Sequence, residues 1–184
     1  MIDRLPGTTI EIAVPNADVA KDVLDNAFIC GGLMMSQVAR MTGLEPYMIQ
    51  NWVKRGFLSP PVQKQYSKRQ FCRIAIINML REALQIEKIT GLLSYINGRL
   101  DDESDDIIDD CALYLYFIDA ISKLEKPVAD EKYITSHIEK VISSFNEPFH
   151  KKKKRLQKVL AVMLNAFLSA TLRKRADEIL STLD

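Results

Sequence analysis

MTGLEPYMIQNWVKRGFL, residues 41–58, holds a turn, a proline and a ten-residue amphipathic stretch. Thr42-Gly43 stops whatever precedes it. Glu45-Pro46 starts a new helix, with proline at the first helical position where its missing N–H costs nothing. Gly56 closes that helix with a residue that tolerates left-handed backbone. At helical spacing Tyr47, Gln50, Asn51 and Lys54 share one face, and Ile49, Trp52 and Val53 share the other. One flank therefore seats against a core while the other offers phenol, amide and ammonium groups.

The neighbouring residues extend this pattern. SQVARM precedes it, with Ser36 expected as N-cap and Val38, Ala39 and Met41 as apolar contacts. Two short helices joined at an angle by a glycine turn make a helix-turn-helix arrangement, whose second helix can enter the major groove of DNA. Amides there hydrogen-bond adenine edges, and lysine meets guanine or phosphate. A plain helical hairpin with a polar outer face has the same pattern. After it, SPPVQKQYS (residues 59–67) excludes helix through paired prolines and predicts an extended loop or small hairpin. Ser67 is expected to cap a helix over residues 68–84, followed by a shorter one over about 87–97 that ends at Asn97-Gly98.

Taken together, SQVARMTGL-EPYMIQNWVKRGFLSPP-VQKQYSKRQFCRIAIINMLREALQIEKITGLL resembles the N-terminal domain of the MerR-type transcription regulators. The matching positions are Val38, Ala39, Thr42, Gly43, Pro46, Ile49, Trp52, Gly56, Phe57, Leu58, Pro60, Tyr66, Ser67, Phe71 and Ile89. The resemblance implies a winged helix-turn-helix with Tyr66 in the wing. It does not transfer base contacts. That family carries arginine where this chain has Tyr47 and Gln50, an aromatic residue where it has Asn51, and a longer, arginine-bearing wing. The long coupling helix and effector domain are replaced by an acidic junction, so effector-driven twisting of promoter DNA is not implied. The N-terminal two-thirds of the chain also resembles a bacterial family of uncharacterised function sharing IxNWVKxGFLxPPxxKxYS-like cores.

The chain of 184 residues is 47% hydrophobic and 27% charged, ordinary soluble material. It has no apolar run of membrane-spanning length and no secretory signal pattern, so a cytoplasmic location is expected. Cys30, Cys72 and Cys111 are odd in number, without CxxC, and are expected as reduced thiols; no zinc-ligand spacing appears. Net charge is +1, but it is segregated: −3 over residues 1–35, +7 over 36–100, −9 over 101–150 and +6 over 151–184. The +7 block predicts a polyanion-binding surface.

Beyond residue 100 three apolar-periodic segments, about 107–124, 128–145 and 150–183, predict a helical bundle. The last is apolar nearly all round between Leu156 and Leu172, more than a three-helix half can cover, which predicts a second copy of the chain. DDESDDIIDD contains DDxxD twice, a motif that grips magnesium and pyrophosphate in all-α prenyl-transferring enzymes. Here about 80 residues follow, too few for that cavity. A solvated junction with Ser104 or Asp106 capping the next helix is expected, or a segment that pairs with a basic patch of a partner subunit or mimics phosphate to restrain the DNA face. HKKKKR, residues 150–155, places cations at a helix start, against the macrodipole.

The expected architecture is mainly α: an arm and helix (1–34), a winged helix-turn-helix (35–100) and a dimerising or regulatory helical bundle (101–184). The expected function is sequence-specific binding of double-stranded DNA by a homodimer, with no catalysis, cofactor, metal or membrane. The alternative is a winged-helix protein-interaction module. Tyr47, Gln50, Asn51 and Lys54 are expected to face bases. Arg55, Lys64, Tyr66, Lys68 and Arg69 are expected at phosphates or in the wing, and Leu160, Met163, Leu164 and Phe167 at the dimer interface. No effector is specified.

Overall fold

A computed structural model describes residues 4–13, 16–100, 102, 106–125, 130–145 and 150–183. Asp101, Glu103, Ser104 and Asp105 of the acidic junction lie outside the described residues, and with them the proposed Ser104 cap and part of each DDxxD motif. The elements run α1 (Ala17–Ala27), β1 (Leu33–Met34), α2 (Met35–Thr42), α3 (Pro46–Lys54), β2 (Gln65–Tyr66), α4 (Lys68–Leu80), α5 (Ile86–Asn97), α6 (Asp110–Ser122), α7 (Glu131–Val141), a 3-10 turn at Ile142–Ser144, and α8 (His150–Leu180). The protein is mainly helical, as expected.

The helix that organises the rest is α4. Phe71, Cys72, Ile74, Ala75, Ile76, Ile77, Met79 and Leu80 are buried around its whole circumference, the condition of a helix enclosed on all sides. Its start is fixed by a reciprocal cap: Ser67 Oγ accepts from Gln70 N at 3.2 Å and Gln70 Oε1 accepts from Ser67 N at 2.8 Å. The same Gln70 donates through Nε2 to the carbonyls of Ser59 and Pro60, at 2.9 and 3.0 Å, and so pins the proline loop. The helix stops at Leu80, earlier than periodicity suggests, because residues 81–84 tighten into a turn in which Ala83 N donates to Leu80 O.

On one side α4 meets α2, which packs with α3 and with the β1–β2 pair; on the other it meets α6, α5 and α8. The strands are antiparallel, Leu33 opposite Tyr66 and Met34 opposite Gln65. Residues 5–7 of the N-terminal arm pack against the body of the protein. Leu5 is buried, Tyr114 Oη donates to Pro6 O at 2.6 Å, and Asn78 Nδ2 donates to Gly7 O at 2.9 Å. Gly7 has φ +73° and lies so close to α4 that a Cβ would sit 2.0 Å from Ala75 O. Only glycine meets both demands. One apolar core runs without interruption from Leu5 to Ala166, across the boundaries expected at residues 34/35 and 100/101.

Two expected caps are corrected. Helix α2 begins one residue before Ser36, and the Gln37 carboxamide reaches back to accept from Met34 N at 2.8 Å. Helix α6 is capped by Asp109, which accepts from Cys111 N and Ala112 N, rather than by Asp106.

The interface expected along α8 is also corrected. Leu160, Met163 and Leu164 are fully buried within their own chain, and Phe167 packs edge-on to Phe117 at 5.6 Å. The C-terminal helices are not the whole cover of α8, because α4 and α5 also pack on it.

A buried ion pair joins the two halves. Arg73 on α4 donates to Phe57 O at 3.0 Å and to Asp110 on α6 at 3.2 Å, and Asn97 Nδ2 donates to Asp110 at 3.1 Å. Removing one member leaves a buried uncompensated charge, a loss of about 3–5 kcal/mol. Asp110→Ala is expected to lower unfolding stability by that amount in urea titrations, with the helical far-UV signal of the folded state retained.

Candidate functional site

The helix α3 forms as its sequence dictates. Pro46 opens it, Ile49 and Trp52 are buried beneath it, and the chain leaves through Gly56 at φ +72°. Gly43, at φ +68°, makes the turn from α2. This seating leaves Tyr47, Gln50, Asn51 and Lys54 all exposed on one face. Tyr47 is 67% exposed, a large value for an aromatic side chain. Among the described residues none of these four side chains makes a hydrogen bond or ion pair. The structure therefore brings the four expected base-facing residues together on an unengaged polar face.

The loop after α3 folds back as a two-residue hairpin. Val62 N donates to Gln65 O at 3.1 Å and Gln65 N to Val62 O at 2.9 Å, with Gln63 and Lys64 between them. Both central residues are left-handed, φ +49° and +65°. Asn-Gly is the usual solution for such a turn, so two long side chains there hold conformational strain. Val62, Gln63, Lys64 and Gln65 are exposed, whereas Tyr66 is buried. Tyr66 is thus a seat for the hairpin, facing the core, and burial raises its pKa.

The expected phosphate-binding cations do not form one free patch. Arg55 pairs with Glu87 at 2.6 Å and lies 4.5 Å over the Phe57 ring. Lys68 pairs with Asp25 of α1. Arg69 pairs with Asp106 and lies 3.7 Å from Asp110, and Arg73 is buried against Asp110. Part of the acidic junction therefore neutralises α4 of its own chain. Burial raises the pKa of Asp110, and the two guanidinium groups oppose that rise. Lys54 and Lys64 have no carboxylate partner among the described residues. In the basic run at the start of α8, Arg155 is tied to α5, donating to Tyr95 O with its guanidinium 4.4 Å from the Tyr95 ring.

Cys72 and Cys111, distant in sequence, come together: the Cys111 thiol hydrogen-bonds Cys72, and with burial this pushes Cys72 well above its ordinary pKa. His137, one of two histidines in the chain, is spent on structure; its Nε2 donates to Ala120 O at 2.7 Å. Among the described residues no group of three or more His, Cys, Asp or Glu side chains could hold a metal ion, and no helix is long and apolar enough to cross a membrane.

Residues 24–117 match the family model described as Domain of unknown function (DUF1836). The chain belongs to this family. It is also similar to the uncharacterized protein YkrK of Bacillus subtilis (strain 168), with 26% identity over 161 residues, covering 79% of this chain and 69% of that relative. No solved structure matches it. The DUF1836 stretch begins within α1 and ends within α6, so it holds the polar face of α3, the hairpin and both ends of the Arg73–Asp110 pair.

Asp25 links α1 to the start of α4. Hydrogen bonds from Lys21 and Lys68 lower its pKa from 3.8 to about 2. A carboxylate depressed in the folded state stabilises above its unfolded pKa, and that contribution is lost as pH falls through the folded one. Asp25→Asn is expected to lower Tm by a constant amount above about pH 5. The gap between wild type and variant should close between pH 3.8 and about 2.

Proposed function

We propose that this protein is a sequence-specific DNA-binding transcription regulator built on a winged helix-turn-helix. The carrying observation is the α3 face: phenol, two amides and an ammonium, all exposed and unengaged, on a helix seated by Ile49 and Trp52. In this reading α2 and α3 form the helix-turn-helix and the Gln63–Lys64 hairpin is a short wing. Gln50 and Asn51 carry the donor–acceptor pairs that read adenine in the major groove, Lys54 meets guanine or phosphate, and Lys64 meets backbone. The likeness to MerR-type regulators noted from the sequence supports the framework; the reading residues are this chain's own.

The internal ion pairs limit the phosphate contacts. Lys54 and Lys64 come first. Arg55 and Lys68 join only by leaving Glu87 and Asp25, while Arg69 and Arg73 serve the fold. Specific affinity from so few contacts needs two half-sites, and hence two copies of the chain. The neutralised cations also favour a second reading, a winged-helix surface that binds protein rather than DNA.

Fluorescence anisotropy with random duplex at two salt concentrations separates them. DNA binding should weaken with salt by about 0.9 in log–log slope for each phosphate neutralised. Lys54→Glu combined with Lys64→Glu should cost at least about tenfold in affinity and flatten the slope by about 2 per protomer. Unchanged affinity in that double variant would remove DNA from the account. Glu87→Gln, which releases Arg55, is expected to tighten binding to every duplex alike, read as a steeper salt slope in the same assay.

A further inference from the structure

Helix α8 continues well past the body of the protein. Its 31 residues extend about 46 Å at 1.5 Å per residue, and every described residue from Thr171 to Leu183 is exposed. This tail is not uniformly polar. Leu172, Ala176 and Ile179 recur at spacings of four and three, one stripe of a helix, and Leu183 follows four residues on, just past the helix end at Leu180. Ile179 is 57% exposed and Leu183 75%. In the body of the protein the same face of α8 forms the floor of an open groove of about 790 Å³, lined by Ala161 and Val162 of α8, Glu131 and Ile134 of α7, and Ala83 and Leu84 before α5. Groove and stripe lie in line along one helix.

We infer that a second copy of this chain occupies the groove, with the α8 tails exchanged about a two-fold axis at the level of Ala170. An isologous contact requires each surface to be its own complement, and the spacing meets that requirement. Leu168 and Leu172 are equidistant from position 170, as are Ala161 and Ile179, and Gln157 and Leu183. Antiparallel α8 helices in this register set the tail stripe of one protomer over the groove floor of the other.

Charge agrees with the register. The hydrogen bond from Gln157 Nε2 to Glu139, 3.1 Å, fixes α7 alongside α8 and brings Glu131 level with about Asn165. Asn165 is the two-fold counterpart of Arg175. In an antiparallel pair, flanking positions on the same side of each helix meet, and Gln157 and Arg175 flank the stripe on the same side, the side that faces α7. The guanidinium of Arg175 in one protomer therefore falls beside Glu131 of the other. The helical part of the contact extends from residue 157 to 180, about 35 Å. With the groove walls this engages on the order of 20 residues a side, the size of a standard stable interface.

This inference stands apart from the DNA reading, because it is tested without nucleic acid. Size-exclusion chromatography with light scattering on the full chain should give a dimer. Leu172→Glu with Ile179→Glu should give a monomer whose thermal melt follows the wild type at low concentration, since both side chains are exposed in the single chain. Glu131→Arg and Arg175→Glu should each raise the dimer dissociation constant by about tenfold or less, as rim ion pairs do, and together restore it. A monomeric wild type at high micromolar concentration would overturn the inference, as would a dimer that survives the Leu172/Ile179 substitutions. Failure of the paired charge swap to restore the dimer would overturn the register.

Discussion

The Arg73–Asp110 pair is the contact on which the two halves of this protein depend. It forms 37 residues apart in sequence, between helices otherwise joined by apolar packing and by the neighbouring Arg69. A buried charge is expensive to remove from water, and its cost is offset only by good geometry and further hydrogen bonds. Here Phe57 O takes one guanidinium donor and Asn97 adds an amide to the carboxylate. Phe57 O lies on the loop directly after α3, so the pair also anchors the chain where it leaves that helix. The helix that carries the exposed polar face is thus tied, through one guanidinium, to the first residue of α6.

That arrangement decides how the charge of the chain is used. The block segregation read from the sequence becomes a set of specific ion pairs: Lys68 with Asp25, Arg69 with Asp106 and Arg73 with Asp110. The −9 segment is in part the counterion of the +7 segment. Around α3 what remains outward is a small polar face and a hairpin tip, richer in hydrogen-bonding capacity than in net charge. Under the proposed reading this favours recognition through base edges over bulk electrostatic attraction. It also gives the acidic junction a structural task that needs no metal or phosphate.

Much of the α3 region was legible because local rules decide it. Pro46 at a helix start, Gly43 and Gly56 in left-handed turns, and Ile49 and Trp52 at helical spacing each have one comfortable conformation, and the structure uses it. The Ser67 cap was legible for the same reason, a Ser-x-x-Gln pattern that closes on itself. What was not legible depended on distant partners. Nothing local distinguishes Arg73, buried, from Lys54, exposed. The arm before α1 has no periodicity, yet it packs on α4 and Tyr114. The reading of α8 missed for a related reason: its apolar residues face cover supplied by α4 and α5, on the far side of the acidic junction.

The contact at Gly7 reaches beyond the arm itself. Its missing side chain lets the backbone lie against Ala75 on the most enclosed helix of the protein. Any larger residue would have to lift the first turn of the chain, uncovering Leu5 and withdrawing the carbonyl that receives the Tyr114 hydroxyl. A glycine in an irregular stretch before α1 is therefore as constrained as the interior. Residues 5–7 act as a latch across both halves, held by α4 through Asn78 and by α6 through Tyr114.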